Sequence, residues 1–189
     1  MDRFTAFFDA NVLYPAGLRN LLMRLAVRGL FRAKWSEKVH EEWMAAVMED
    51  FPDITRPQLE RTRKLMDLHA ESSLVTGYED LIEGLELPDP DDRHVLAAAI
   101  RSNADVVVTR NLRDFPEERL RPYGIEPKHP DAFVMNLFDL TPGAVVGAAR
   151  EHRESLQSPT KSVPEYLASL ERQELTQTAA ALREYKSVL

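Results

Sequence analysis

Two stretches of the chain, Phe4-Thr5-Ala6-Phe7-Phe8 and Val106-Val107-Val108-Thr109, are apolar at nearly every successive position and read as buried strands. They set the frame for the segments around them, which alternate between strand-like and helix-like patterns. Leu18, Leu21, Leu22 and Leu25 recur at helical spacing as far as Gly29, a natural stop. Phe31, Ala33 and Trp35 then alternate with Arg32 and Lys34 as a short strand. Ser36 can cap a helix carrying Val39, Trp43 and Val47, closed by Pro52. A further helix is expected from Pro57 to Ala70, led in by Thr55, and Leu74-Val75-Thr76 is the next strand. Asp89-Pro90-Asp91-Asp92 opens a helix through Ile100, and Tyr123-Gly124-Ile125 is expected as a last edge strand. Such alternation implies an α/β fold with a central parallel sheet and helices on both faces.

The pattern changes near residue 130. Pro130 with Asp131, Thr141 with Pro142, and the capping box Ser162-Val163-Pro164-Glu165 all read as helix starts, and no β-rich run follows. Leu167, Leu170, Leu175, Ala179 and Leu182 give this helical tail an apolar stripe that must pack on the main domain or on a partner. No apolar run approaches the roughly 18 residues of a membrane span. Asp2 and the lack of a small-residue cleavage signal argue against a secretory leader. With no cysteine, disulfides and thiolate metal sites are excluded, and a cytoplasmic protein is the simplest expectation.

A net charge of -7 argues against nucleic-acid binding through overall charge, so its distribution carries the information. Arg19, Arg24, Arg28, Arg32, Lys34 and Lys38 face the single acid Glu37 in one stretch, which reads either as a track for a phosphate backbone or as a solvated helix face. Four acids, Asp9, Glu42, Asp92 and Asp114, sit where strands end or helices begin. Asp9 and Asp114 follow the two apolar runs and would emerge near carboxyl ends of parallel strands, where open sheets place their sites. Carboxylates gathered there repel one another unless a cation lies between them, and hard oxygen donors suit Mg²⁺ or Mn²⁺. Each acid also has a plainer reading: helix initiation for Asp92, a solvated face for Glu42 beside Glu41, and turn formation for Asn111 and Asp114. Asp9 is harder to explain that way, because burying a carboxylate directly after an apolar strand is costly without a partner. The histidines form no short metal-binding spacing and read as surface or helix-packing residues.

Phe8-Asp9-Ala10-Asn11-Val12-Leu13, Ser36 with Glu42, Asp92-Arg93-His94-Val95-Leu96-Ala97-Ala98-Ala99, and Val108-Thr109-Arg110-Asn111 with Asp114-Phe115 resemble the PIN-domain ribonucleases in order and placement. The likeness is to VapC-type toxins of bacterial toxin–antitoxin pairs that carry a helical carboxyl-terminal extension. It implies a three-layer α/β/α sandwich, with residues 1–140 as the nuclease domain and 141–189 as the extension. It further implies Mg²⁺-dependent cleavage of RNA, with Mn²⁺ as the other candidate ion and a cognate antitoxin as partner. Asp9 and Asp92 would be direct metal ligands, and Glu42 and Asp114 would serve a second ion directly or through water. Asn11, Thr109 and Asn111 would support by hydrogen bonds, and Arg110 would approach substrate phosphate. Many members place an acid two residues after the threonine, where this chain has Asn111, so the fourth acidic role passes to Asp114 or is weakened. The alternatives are a PIN-like scaffold that binds RNA or protein without cutting, and a haloacid-dehalogenase-like phosphatase. The latter would want a second Asp where Asn11 stands. Homodimerisation is a further option for the apolar tail.

Overall fold

The computed structural model describes residues 4–189, so Asp2 lies outside the described residues. Five strands, β1 (Thr5–Phe8), β2 (Arg32–Ser36), β3 (Leu74–Val75), β4 (Val106–Val108) and β5 (Glu126–Lys128), form one sheet in the order β3-β2-β1-β4-β5. Every neighbouring pair is parallel, with Phe7 opposite Lys34 on one side and Val107 on the other. The two apolar runs are thus the adjacent central strands, and Ala6, Phe7, Phe8, Val107 and Val108 are buried.

From β1 the chain builds outward through β2 to β3, then returns to β4 on the opposite side of β1 and ends at β5. Because such crossovers are right-handed, reversing direction places the later helices on the other face of the sheet. On one face lie α3 (Glu37–Asp50) and α4 (Arg56–His69), and on the other α5 (Arg93–Arg101), which packs on β1, β2 and β4. Strand order reverses between β1 and β4. That switch point opens a crevice at their carboxyl ends.

Local chemistry accounts for most boundaries. Ser36 caps α3 by accepting from the Val39 N–H at 3.2 Å, and Thr55 with Gln58 forms a capping box at the start of α4. At Asp89-Pro90-Asp91-Asp92 the helix opens with a 3₁₀ turn, Pro90–Asp92, capped by Asp89, and becomes α-helical only from Arg93. The expected edge strand at Tyr123-Gly124-Ile125 is displaced downstream. A short helix α6 (Glu117–Leu120) leads into a 3₁₀ turn, Arg121–Tyr123, that holds Pro122, and Gly124 ends it in the left-handed region at φ 71°. Extended backbone therefore begins at Glu126, and Pro127, which lacks an N–H, is tolerated because β5 is an edge.

The described residues divide into two compact units. One comprises the chain up to Tyr14 with Phe31–His129, which holds the whole sheet. The other comprises Pro15–Leu30 with Pro130–Leu189 and is helical throughout: α2 (Ala16–Val27), α7 (Pro130–Leu140), α8 (Pro142–Ser155), α9 (Val163–Arg172) and α10 (Thr176–Arg183). An amino-terminal helix thus joins the tail. Within this unit α2 packs on α8, α7 on α8 and α10, and α9 on α10. Gly147 of α8 lies so close to Arg28 that an added Cβ would stand 3.0 Å from its guanidinium, which reaches Glu151 at 2.6 Å. All five stripe residues of the tail, Leu167, Leu170, Leu175, Ala179 and Leu182, are buried.

Asp131, read from sequence as part of a helix start, also fastens a distant one. Its buried carboxylate accepts from the Gln177 N–H at 2.8 Å, the Thr178 N–H at 2.9 Å and the Thr178 hydroxyl at 2.7 Å, closing the first turn of α10 from α7. Losing these charge-assisted bonds should cost about 2–3 kcal/mol. Asp131→Ala is therefore expected to lower the urea midpoint clearly, with Asp131→Asn intermediate. A midpoint equal to wild type for both would show that the cap does not hold the helical unit.

Candidate active site

At the carboxyl end of β1, Asp9 is the cap of the short helix α1 (Ala10–Leu13): its Oδ1 accepts from the Ala10 N–H at 2.7 Å. Oδ2 accepts from the Thr109 hydroxyl at 2.8 Å and from the Asn11 amide at 2.8 Å. Thr109 follows β4 directly and is fully buried, so the first hydrogen bond ties together the ends of the two central strands. Its hydroxyl also accepts from the Asn11 amide at 3.2 Å and from the Asn111 N–H at 3.1 Å, while Asn11 Oδ1 accepts from the Arg110 N–H at 3.0 Å. Asn11, Thr109, Arg110 and Asn111 thus form one frame around Asp9. The Asn111 amide in turn donates to Asp114.

Three further acids bear on this frame. Glu42 projects from the middle of α3 with its carboxylate 2.9 Å from His94 Nε2 and 3.9 Å from Lys38, one turn back on the same helix. Asp92 stands at the 3₁₀-to-α junction before α5. Burial drives the Asp9 carboxyl above the usual range, opposed by the Thr109 hydroxyl and the Ala10 N–H, and the Glu42 charge raises it further. Asp92 is pushed up to about 7, first by desolvation and then by the charges of Asp9, Asp89 and Asp114, with His94 acting the other way. The crevice therefore concentrates negative charge faster than solvent can dissipate it.

Sequence reasoning passed over His94. It lies two residues beyond Asp92, is 2% exposed, and approaches Glu42 to 2.9 Å rather than serving only as packing. Its helical phase relative to Asp92 was readable, but its partner lies on a helix fifty residues away. The basic stretch, by contrast, is largely engaged elsewhere: Arg19 is buried, Arg24 and Arg28 pair with Glu151, and Lys34 donates to the Ser72 carbonyl. No continuous phosphate track follows from it.

Among the described residues no three acidic or histidine side chains already converge as an ion-binding triad. The carboxylates instead have neighbours of their own: Asp9 accepts from Thr109, Asn11 and Ala10, Asp114 accepts from Asn111, and Glu42 lies against His94. Their chemistry nevertheless fits a hard divalent cation. Every acidic donor is oxygen, and the mutual repulsion that raises Asp92 is what such a charge would relieve.

Comparison with known proteins agrees with this fold. The profile described as PIN domain matches residues 5–113, more than half of the chain, and that described as VapC50 C-terminal domain matches residues 130–184. A protein of Mycobacterium tuberculosis named "Putative ribonuclease VapC50" is 50% identical over 64 residues, which is 34% of this chain and 37% of that protein. The matched segment thus spans little more than a third of that relative's length. No solved structure gives a significant match.

The Asp92 shift makes a signed prediction. A carboxyl raised in the folded state is harmless at low pH, where both states hold the proton, and destabilises increasingly as pH rises from its ordinary 3.8 to about 7. Solvent screening reduces the penalty to about 1 kcal/mol, or roughly 2–4 °C. In EDTA, Asp92→Asn should therefore melt above wild type at pH 8, and the gap should close by pH 4. A variant that melts below wild type at pH 8 would show that the crevice charges are not in conflict.

Proposed function

We propose that this chain, which belongs to the PIN-domain family, is a divalent-metal-dependent endoribonuclease and the toxin of a toxin–antitoxin pair. The observation that carries the reading is the meeting of Asp9 and Thr109 at the β1/β4 switch point, within the field of Glu42, Asp92 and Asp114. A phosphodiester is already anionic, so a nucleophile is repelled unless the charge is offset. When bound, Mg²⁺, or Mn²⁺ in its place, supplies that offset and lowers the pKa of a water.

In this reading Asp9 and Asp92 hold the ion directly, and Glu42 and Asp114 bind a second ion or orient the attacking water. Thr109 and Asn11 keep the Asp9 carboxylate oriented and favour its ionised form through donated hydrogen bonds. Asn111 steers Asp114, and the Arg110 side chain contacts the substrate phosphate. All eight side chains precede residue 140, so the helices from 141 onward are given a supporting role, in stability, self-association or antitoxin docking. RNA is the substrate and a cognate antitoxin the protein partner. The name of the relative in Mycobacterium tuberculosis is consistent with the nuclease activity. No described helix is long and apolar enough to cross a membrane, and we assign the cytoplasm, where RNA is the available substrate.

One observation favours a second reading, a PIN-like scaffold that binds without cutting. Asn111 stands where many members have an acid, and its amide engages Asp114. Cleavage of RNA by the purified protein, lost in EDTA and restored by Mg²⁺, separates the two. Asp9→Asn and Asp92→Asn should each reduce cleavage about 100-fold or more, since even supporting partners of ligands contribute 10- to 100-fold. Asp114→Ala should weaken activity and Mg²⁺ dependence more than Asn111→Ala does. Full activity in both Asp9→Asn and Asp92→Asn would end the nuclease reading, and the reverse ranking at 111 and 114 would reject the role given to Asp114.

A further inference from the structure

The Glu42–His94 contact presents a physical puzzle. Glu42 has a long side chain in the middle of α3, is 37% exposed, and lies one helical turn from Lys38, which would draw its carboxylate along the helix surface toward solvent. Opposing that pull is the close approach of His94, whose Nε2 lies 2.9 Å from a Glu42 carboxylate oxygen. A carboxylate oxygen only accepts, so Nε2 carries the proton. The imidazole is fixed by its surroundings: it sits in the first turn of α5 among buried neighbours Val95, Leu96 and Ala97.

As a contribution to stability this arrangement is poor. His94 Nδ1 is buried and makes no hydrogen bond among the described residues, so an entire imidazole is desolvated for one close approach to a partly exposed acid. An apolar side chain of similar size would avoid that penalty. Yet the ring stands in the first turn of α5, two residues beyond Asp92, and 2.9 Å from Glu42, which places it beside the carboxylates rather than in a remote part of the core.

We propose that His94 is a positioning residue, which holds the Glu42 carboxylate at the metal-binding crevice against the competing pull of Lys38. The proposal rests on the metal-dependent reading above and goes beyond it in assigning a function to a residue outside the acidic set. His94 acts through Glu42 and touches neither substrate nor ion. Its imidazole sets where the carboxylate of α3 stands relative to Asp9 and Asp92.

The test is Mn²⁺ affinity of the full chain by calorimetry, with thermal unfolding in EDTA recorded on the same samples, for His94→Leu, His94→Gln, Glu42→Ala and the double variant Glu42→Ala with His94→Leu. His94→Leu should weaken Mn²⁺ binding about tenfold or more while melting at or above the wild-type temperature in EDTA. His94→Gln, which retains an amide donor, should recover most of the affinity. In the Glu42→Ala background His94→Leu should cause no further loss. Wild-type affinity in His94→Leu, a loss that persists in the Glu42→Ala background, or a loss accompanied by a lower melting temperature would each overturn the assignment. RNA cleavage is read separately: a wild type that binds Mn²⁺ but cuts no RNA refutes the nuclease reading and leaves the His94 result to stand on affinity. A wild type that binds no Mn²⁺ overturns both.

Discussion

The hydrogen bond from Thr109 to Asp9 is the constraint on which the site depends. It joins the first residue beyond each central strand, at the place where strand order reverses, and spans 2.8 Å. A carboxylate 6% exposed would otherwise face the full cost of desolvation. Donors from Ala10, Asn11 and Thr109 offset that cost, and the same donors fix the direction in which its remaining lone pairs point. Asn11 extends the frame by accepting from Arg110, so that the turns after β1 and β4 are stitched side chain to backbone. Local geometry and electrostatics are therefore the same problem at this site.

The other acids arrive on helices, whose placement must be equally secure. For α3 the anchor is a polar chain, buried except at Asp67, in which Trp43 Nε1 donates to His40 Nδ1 at 2.9 Å, His40 Nε2 to Asp67 at 3.1 Å, and Trp35 Nε1 to the same carboxylate at 2.8 Å. Because Nδ1 accepts from Trp43, the proton of the ring is on Nε2. Burial also pushes the imidazole below its usual range, so its contact with Asp67 is a hydrogen bond of neutral histidine rather than an ion pair. Strand β2, α3 and α4 are thereby cross-braced. Glu42 projects from a helix with little freedom to rotate, and only its side chain remains to be oriented.

Much of the architecture was legible because it is written in local pattern. The almost continuously apolar runs at Phe4 and Val106 became the adjacent centre of the sheet, and Ser36, Thr55 and Ser162 mark helix starts through caps that involve residues three positions on. What escaped reading is non-local or depends on backbone detail. The last strand began at Glu126 instead of Tyr123 because a proline turn and a left-handed Gly124 consumed the intervening residues. The helix Ala16–Val27 shows ordinary amphipathic spacing, and nothing in it announces that it joins the tail helices more than a hundred residues later. Likewise Asp131 reaches Thr178, and His94 reaches Glu42, across separations that no periodicity encodes. Asp9 stood out in sequence since a carboxylate after an apolar strand demands a partner, whereas the cation-rich stretch from Arg19 to Lys38 gave no hint that Glu151 would engage two of its arginines.

In the proposed reading a divalent cation resolves the charge conflict at the carboxyl ends of β1 and β4. Its most direct test is a crystal grown or soaked with Mn²⁺ and measured on both sides of the manganese absorption edge. An anomalous peak ligated by carboxylate oxygens of Asp9 and Asp92 is expected at the carboxyl ends of those two strands. Manganese bound elsewhere on the chain, with that position lacking any anomalous density, would contradict it.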